Sequence, residues 1–145
     1  MVSKLQLVVF SLEREHYGLD TTKVKEIARM EEVTPIPRVP SYIEGVLNLR
    51  GQILPIVCLR KRLALPPRQE TTTTRIVIVD AEDLKVGLIV DAVTEVSDIT
   101  NAVVTPAPHL ATSSFVTGVC QHGEALVSLL DPVQLFFADA TTGVK

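Results

Sequence analysis

Tryptophan is absent from this 145-residue chain, and all aromatics together make up only 4% of it. That scarcity argues against a single-stranded nucleic-acid groove, which interleaves basic residues with stacking rings. Positive charge is also short: 14 Lys and Arg face 17 Asp and Glu, a formal net charge of −3, so nucleic acid is not the expected partner. Histidines are few and scattered (His16, His109, His122), and no HxH, HExxH or CxxC spacing occurs, so no metal site is assigned. G-x-S-x-G elbows, phosphate loops and dinucleotide turns are missing as well. The paired carboxylates Glu31-Glu32 and Glu82-Asp83 fall where solvated turns are expected. No catalytic residue or cofactor is therefore assigned, and the chain is not expected to be an enzyme. No apolar run approaches the ~20 residues of a membrane helix, so membrane insertion is not expected. Residues 1–12, with one lysine and no small-residue cleavage site, read as a first strand rather than an export signal. The two cysteines, Cys58 and Cys120, sit in apolar strand patterns. Buried free thiols in a reducing cytoplasm suit them, although a bridge stays open.

What is present is apolar residue: 46% hydrophobic against 21% charged, enough for one domain or two very small subdomains sharing a core. Residues 5–12 are apolar on both faces in their middle, as in a strand covered on two sides. A polar turn at 13–15 leads to a strand at 16–19. Asp20 is placed to cap a short helix whose apolar stripe is Val24, Ile27 and Ala28, with Arg29 near its C-terminal end. Pro35, Pro37 and Pro40 then enforce an extended connector. After a hairpin over 45–57, residues 59–63 read as a short helix whose Arg60-Lys61-Arg62 cluster forms its wet face. Residues 66–74 lack apolar periodicity and read as a surface loop between two halves. The second half has strands at 75–80, 84–90, 92–99, 115–121 and 125–130. Asp131-Pro132 starts a helix that Val133, Phe136 and Phe137 would pack down.

The chain also repeats itself. Gly18-Leu19, Val24, Glu26 and Ile27 recur 69 residues later as Gly87-Leu88, Val93, Glu95 and Val96, and Glu13 recurs as Glu82. An offset of 72 lays Gly51, Leu54 and Val57 on Gly123, Leu126 and Leu129. Such duplication predicts two similar small barrels joined along an apolar seam, since neither buries a large core alone. Approximate subdomains are 13–70 and 75–130 within one domain over 1–145, the terminal segments being unassigned.

The organising stretch is Gly45-Val46-Leu47-Asn48-Leu49-Arg50-Gly51-Gln52-Ile53-Leu54-Pro55-Ile56-Val57: two apolar strands and a tight turn, with Gly51 free to take φ > 0. Arg50 must face water or meet a partner there, because an unpaired buried charge is costly. This run resembles the signature hairpin of the CheW family of bacterial chemotaxis adaptors. Tyr17-Gly18-Leu19-Asp20, Lys23-Val24-Lys25-Glu26-Ile27 and Pro106-Ala107-Pro108 extend the resemblance over nearly the whole chain. It departs from the family pattern at Cys58, where an aspartate is usual.

The resemblance implies a mainly β fold: two small five-stranded SH3-like barrels packed together, with short helices. It implies a non-enzymatic cytoplasmic adaptor that couples the hairpin tips of transmembrane chemoreceptors to the regulatory domain of the histidine kinase CheA. Carried over by position, Arg50, Gly87, Val93, Val96 and Glu26 match receptor-side positions, and Val24 and Gly45 match kinase-side ones. For Val24, Val93 and Val96 core packing is the alternative. Two other readings stay open: an adaptor for a different chemosensory pathway, and a small enzyme, whose site would be sought at 106–114.

Overall fold

Period-two burial, rather than helical periodicity, runs through most of the computed structural model, which describes residues 4–66, 69–100, 104–106 and 115–137. The strands are β1 (Lys4–Leu12), β2 (Glu15–Asp20), β3 (Val24–Arg29), β4 (Ile43–Leu49), β5 (Gln52–Cys58), β6 (Arg75–Ala81), β7 (Leu84–Val90), β8 (Ala92–Thr100), β9 (Val104–Pro106), β10 (Val116–His122) and β11 (Ala125–Leu130). Two short helices follow β5 and β11: α1 (Leu59–Arg62) and α2 (Pro132–Phe137). One unit is a five-stranded sheet in the order β3-β6-β7-β5-β4; the other is a six-stranded sheet, β8-β1-β2-β11-β10-β9. The expected pair of small SH3-like units is therefore present, the second carrying β9 in addition.

The repeat holds, with one correction. Glu13 and Glu82 both adopt left-handed backbone, φ 58° and 57°, at the turns after β1 and β6. Gly18 lies opposite Leu129 and Gly87 opposite Ile56 in the two parallel pairings. That register sets β4-β5 and β10-β11 apart by 73 residues rather than 72, so Arg50, not Gly51, corresponds to Gly123. Aligning glycine on glycine shifts the second half by one residue.

The repeats are intertwined. The five-stranded sheet takes β3, β4 and β5 from the first repeat and β6 and β7 from the second. The six-stranded sheet takes β1 and β2 from the first and β8 to β11 from the second, so the strands between residues 24 and 90 form the first unit and the second closes around it from both sides. The division at 13–70 and 75–130 follows the repeats, not the sheets. The exchange has a physical reason. β1, β6 and β7 carry apolar residues on both faces, and this arrangement lets one face line a unit while the other lines the seam, to which β2 adds Tyr17 and Leu19. In β6, Ile76 and Ile78 join the small core of the first unit, whereas Val77, Val79 and Ala81 join the large shared cluster. Leu7, Val9 and Val127 fill the second unit. Phe10, Leu12, Val57, Leu59, Leu88 and Leu130 meet in the seam. The seam is the largest of the three clusters.

Three expectations change. The helix from Asp20 is only a single 3-10 turn over Thr21–Lys23, with Asp20 Oδ1 accepting the Thr22 N–H and the Thr22 hydroxyl, each at 2.9 Å. Residues 24–29 are strand β3, paired with β6 through a bulge after Val24; Val24 packs on the seam and Ala28 on the core of the first unit, while Ile27 faces out. β-branched Val24 and Ile27 fit a pleated surface better than a helix, and Arg29 ends a strand. α2 is anchored by Leu135, fully buried, with Val133 and Phe136 half-buried; the side chain of Phe137 lies outside the described ones. Cys58 and Cys120 are free, Cys120 buried but Cys58 only partly so.

Candidate functional site

The β4-β5 turn shows how local chemistry presents Arg50. Arg50 and Gly51 both have positive φ, 51° and 86°, as a two-residue turn matched to strand twist requires. Asn48 Oδ1 accepts the Gly51 N–H at 3.0 Å and closes the turn. The Arg50 guanidinium is mostly exposed and reaches across to β3, where Nη1 donates to Glu26 Oε2 at 3.3 Å and Nη2 donates to Glu26 Oε1. A planar fork on a carboxylate holds both groups in one geometry. The hydrogen bond from Arg50 lowers the Glu26 pKa, and the same bond raises that of Arg50. Two residues predicted separately thus form one surface pair.

The second unit repeats the device with different chemistry. Glu95, the counterpart of Glu26, lies 2.9 Å from His122 Nε2, and Ser97 Oγ lies 3.2 Å from the same nitrogen. The turn of each unit is thus tied to the strand beside it.

The other predicted residues are spread over both units. Val24 is half-buried and packs on the seam, as does Val93. Val96 is 57% exposed. Gly87 is not at the surface: a Cβ there would come within 2.6 Å of Ile56 Cδ1 and 2.8 Å of Ile76 Cγ2, inside the first unit. Gly18, its counterpart, is crowded in the same way by Val127 and Leu7. These glycines make room for packed side chains, not for an approaching partner. Gly45 has φ +148° at the bulge of β4, and a Cβ would lie 2.0 Å from the Thr34 carbonyl oxygen. That crossing of the connector over β4 requires glycine.

Sequence reasoning missed two features. Exposed apolar side chains come in related pairs: Ile27 with Val96, and Ile53 (59% exposed) with Leu126 (64%). The first pair follows from the 69-residue offset, but its exposure did not, and the second was visible only once the 73-residue register was known. The second is α1, where Arg60 and Arg62 are buried rather than wet. Arg60 is held by Asp91 and Glu13, 31 and 47 residues away, so no local pattern could have revealed it. The bond to Asp91 keeps the Arg60 pKa raised despite burial.

Among the described residues no group of three or more His, Cys, Asp or Glu side chains gathers around a possible metal position, and no helix is long and apolar enough to cross a membrane. Residues 107–114, most of the segment set aside for a hidden enzyme site, lie outside the described residues.

Comparison with known proteins follows the same lines. Residues 6–139 match the CheW-like domain family. The chain is 37% identical over 142 residues to the chemotaxis protein CheW of Treponema pallidum, covering 92% of this chain and 82% of that one. It is 34% identical over 137 residues to the CheW of Klebsiella aerogenes, with the same shares covered. The crystal structure of the scaffolding protein TtCheW from Thermoanaerobacter tengcongensis superposes with a TM-score of 0.89 at 36% identity, over 98% of this chain and 99% of that one.

Proposed function

Because the chain belongs to the CheW family, we propose that it is a non-enzymatic adaptor joining chemoreceptor hairpin tips to the regulatory domain of the kinase CheA. It would work in the cytoplasm, held at the inner membrane face through receptor arrays. The observation that carries this reading is the Arg50 turn, a cation displayed in a fixed pose at the surface by Glu26. Burial of that cation is not needed for folding, so its placement suits recognition of carboxylate or backbone oxygens on a partner. Val93 and Val96 of β8 extend the receptor side onto the second unit. Val24 and Gly45 belong to the kinase side, with Gly45 acting through the shape of β4, and Gly87 serves the receptor side through the packing of Ile56 and Ile76 inside the first unit.

Coupling here is linkage, not turnover. The adaptor changes kinase activity only as far as it binds one kinase state better than another. Reconstitution of receptor, kinase and this protein, with kinase autophosphorylation as readout, tests the reading. Receptor-dependent activation should appear only when all three are present. Equal activity with and without this chain would sink it.

A further inference from the structure

Helix α1 is four residues long and carries three cations, yet two of them leave water. Arg60 donates from Nε to Asp91 Oδ1 at 2.8 Å and from Nη2 to Asp91 Oδ2 at 2.6 Å. Nη2 also reaches Glu13 Oε2 at 2.7 Å, and Nη1 the Pro66 carbonyl at 2.7 Å. Glu13 is the β1-β2 turn of the second unit, and Asp91 is where the chain passes from β7 of the first unit to β8 of the second. Asp91 Oδ2 accepts the Glu13 N–H as well, at 2.9 Å. One guanidinium from the first unit thus grips the second at the crossing point.

Arg62 lies between matching parts of the two repeats. Its guanidinium carbon lies 4.2 Å from the ring centre of Tyr42 and 4.3 Å from that of Phe115. These two rings are counterparts, 73 residues apart, and each carbonyl accepts the equivalent N–H, Cys58 at 2.7 Å and Asp131 at 2.9 Å. Arg62 Nε donates to the carbonyl of Leu135 at 2.6 Å, and Leu135 is the counterpart of Arg62 itself on α2. The second repeat has Val133 and Leu135 where the first has Arg60 and Arg62, so one repeat builds the tie for both.

The apolar seam favours burial without favouring a direction. A planar fork and a stacked cation are directional. We propose that Arg60 and Arg62 fix the angle between the two units, so that partner-facing surfaces on different units respond as one body. The consequence for partners rests on the adaptor reading; the angular lock itself does not.

Spin labels at exposed Gln52 and Gln121, one per unit, in a Cys58→Ser background read the angle as a distance distribution. Arg62→Lys, which keeps the charge but loses the fork, and Arg60→Met with Asp91→Asn, which removes both charges together, should each broaden that distribution. A double replacement that leaves no buried charge orphaned is far gentler than a single one, the remaining partner Glu13 being exposed enough to turn to water. Binary affinities for receptor tip and kinase domain should stay within about twofold, while the enhancement of one by the other, on the order of fivefold or more where sites are coupled, falls toward one. A merely structural role would lower the melting temperature and leave that cooperativity intact. Unchanged distributions in both variants overturn the lock. Broadened distributions with cooperativity intact overturn its role in coupling. If the unsubstituted protein binds neither partner, the adaptor reading fails, and the distances still judge the lock.

Discussion

A single arginine can be legible in a sequence for its exposure and still surprise by its partner. Arg50 stands out in the hairpin because its neighbours are apolar, but nothing local points to Glu26, 24 residues earlier. Arg50→Ala should leave the melting temperature almost unchanged, since exposed pairs contribute little, and should reduce receptor-dependent autophosphorylation. The pair is also an acid-sensitive contact. Glu26 has a lowered pKa in the folded state, so its contribution is present above the ordinary carboxylate range and is lost as pH falls through the folded value. The Arg50–Glu26 coupling from a double-mutant cycle should vanish in acid and hold at neutral pH. Gly45 is the opposite case. With φ +148° and a Cβ that would meet a carbonyl oxygen, Gly45→Ala should cost roughly 2–4 kcal/mol in denaturant unfolding, so any loss of kinase binding in that variant includes loss of fold. Tyr17 tests the alkaline side. Burial, then its hydrogen bond to Glu15, pushes its pKa up. Its contribution is complete below the ordinary tyrosine value and is lost as pH rises through the folded one. Tyr17→Phe should therefore flatten part of the stability loss above about pH 10, measured by thermal melts.

Elements were mostly readable because β-strands buried on both faces leave long runs of Val, Ile and Leu. β3 was the exception. A bulge and one outward isoleucine produced an i, i+3, i+4 stripe that imitates a helix, and pairing with β6 overrode it. α2 shows a related limit: its start was plain from Asp131-Pro132, and Asp131 Oδ1 does accept the Val133 N–H at 2.9 Å. Which side chain docks depends on where the helix axis lies over the seam, which six residues cannot specify. Leu135→Ala should cost about 2–5 kcal/mol, with Val133→Ala well below that, by equilibrium denaturation.

For the whole molecule, the seam makes the two units inseparable. Residues 24–90 form one sheet by themselves, but β5, β6 and β7 would expose Val57, Val77, Val79, Val86, Leu88 and Val90 to water. Expressed alone, that segment should aggregate or bind a hydrophobic dye, whereas a compact, dye-free monomer with a cooperative melt would show that the seam is dispensable. The two units are joined through the shared apolar seam, so their relative placement is a property of the fold and not of a linker.

Sequence alone determined most of the strands, the duplication, the presence of an apolar seam and the exposed arginine turn. Each of these is set by local composition, periodicity or a turn's demand for positive φ. Only the tertiary structure decided that the repeats exchange strands, that Gly87 looks inward and that two arginines are buried. Those outcomes depend on partners brought together from distant parts of the chain, such as Asp91 and Glu13 around Arg60, and a buried charge is tolerable only once such partners are in place.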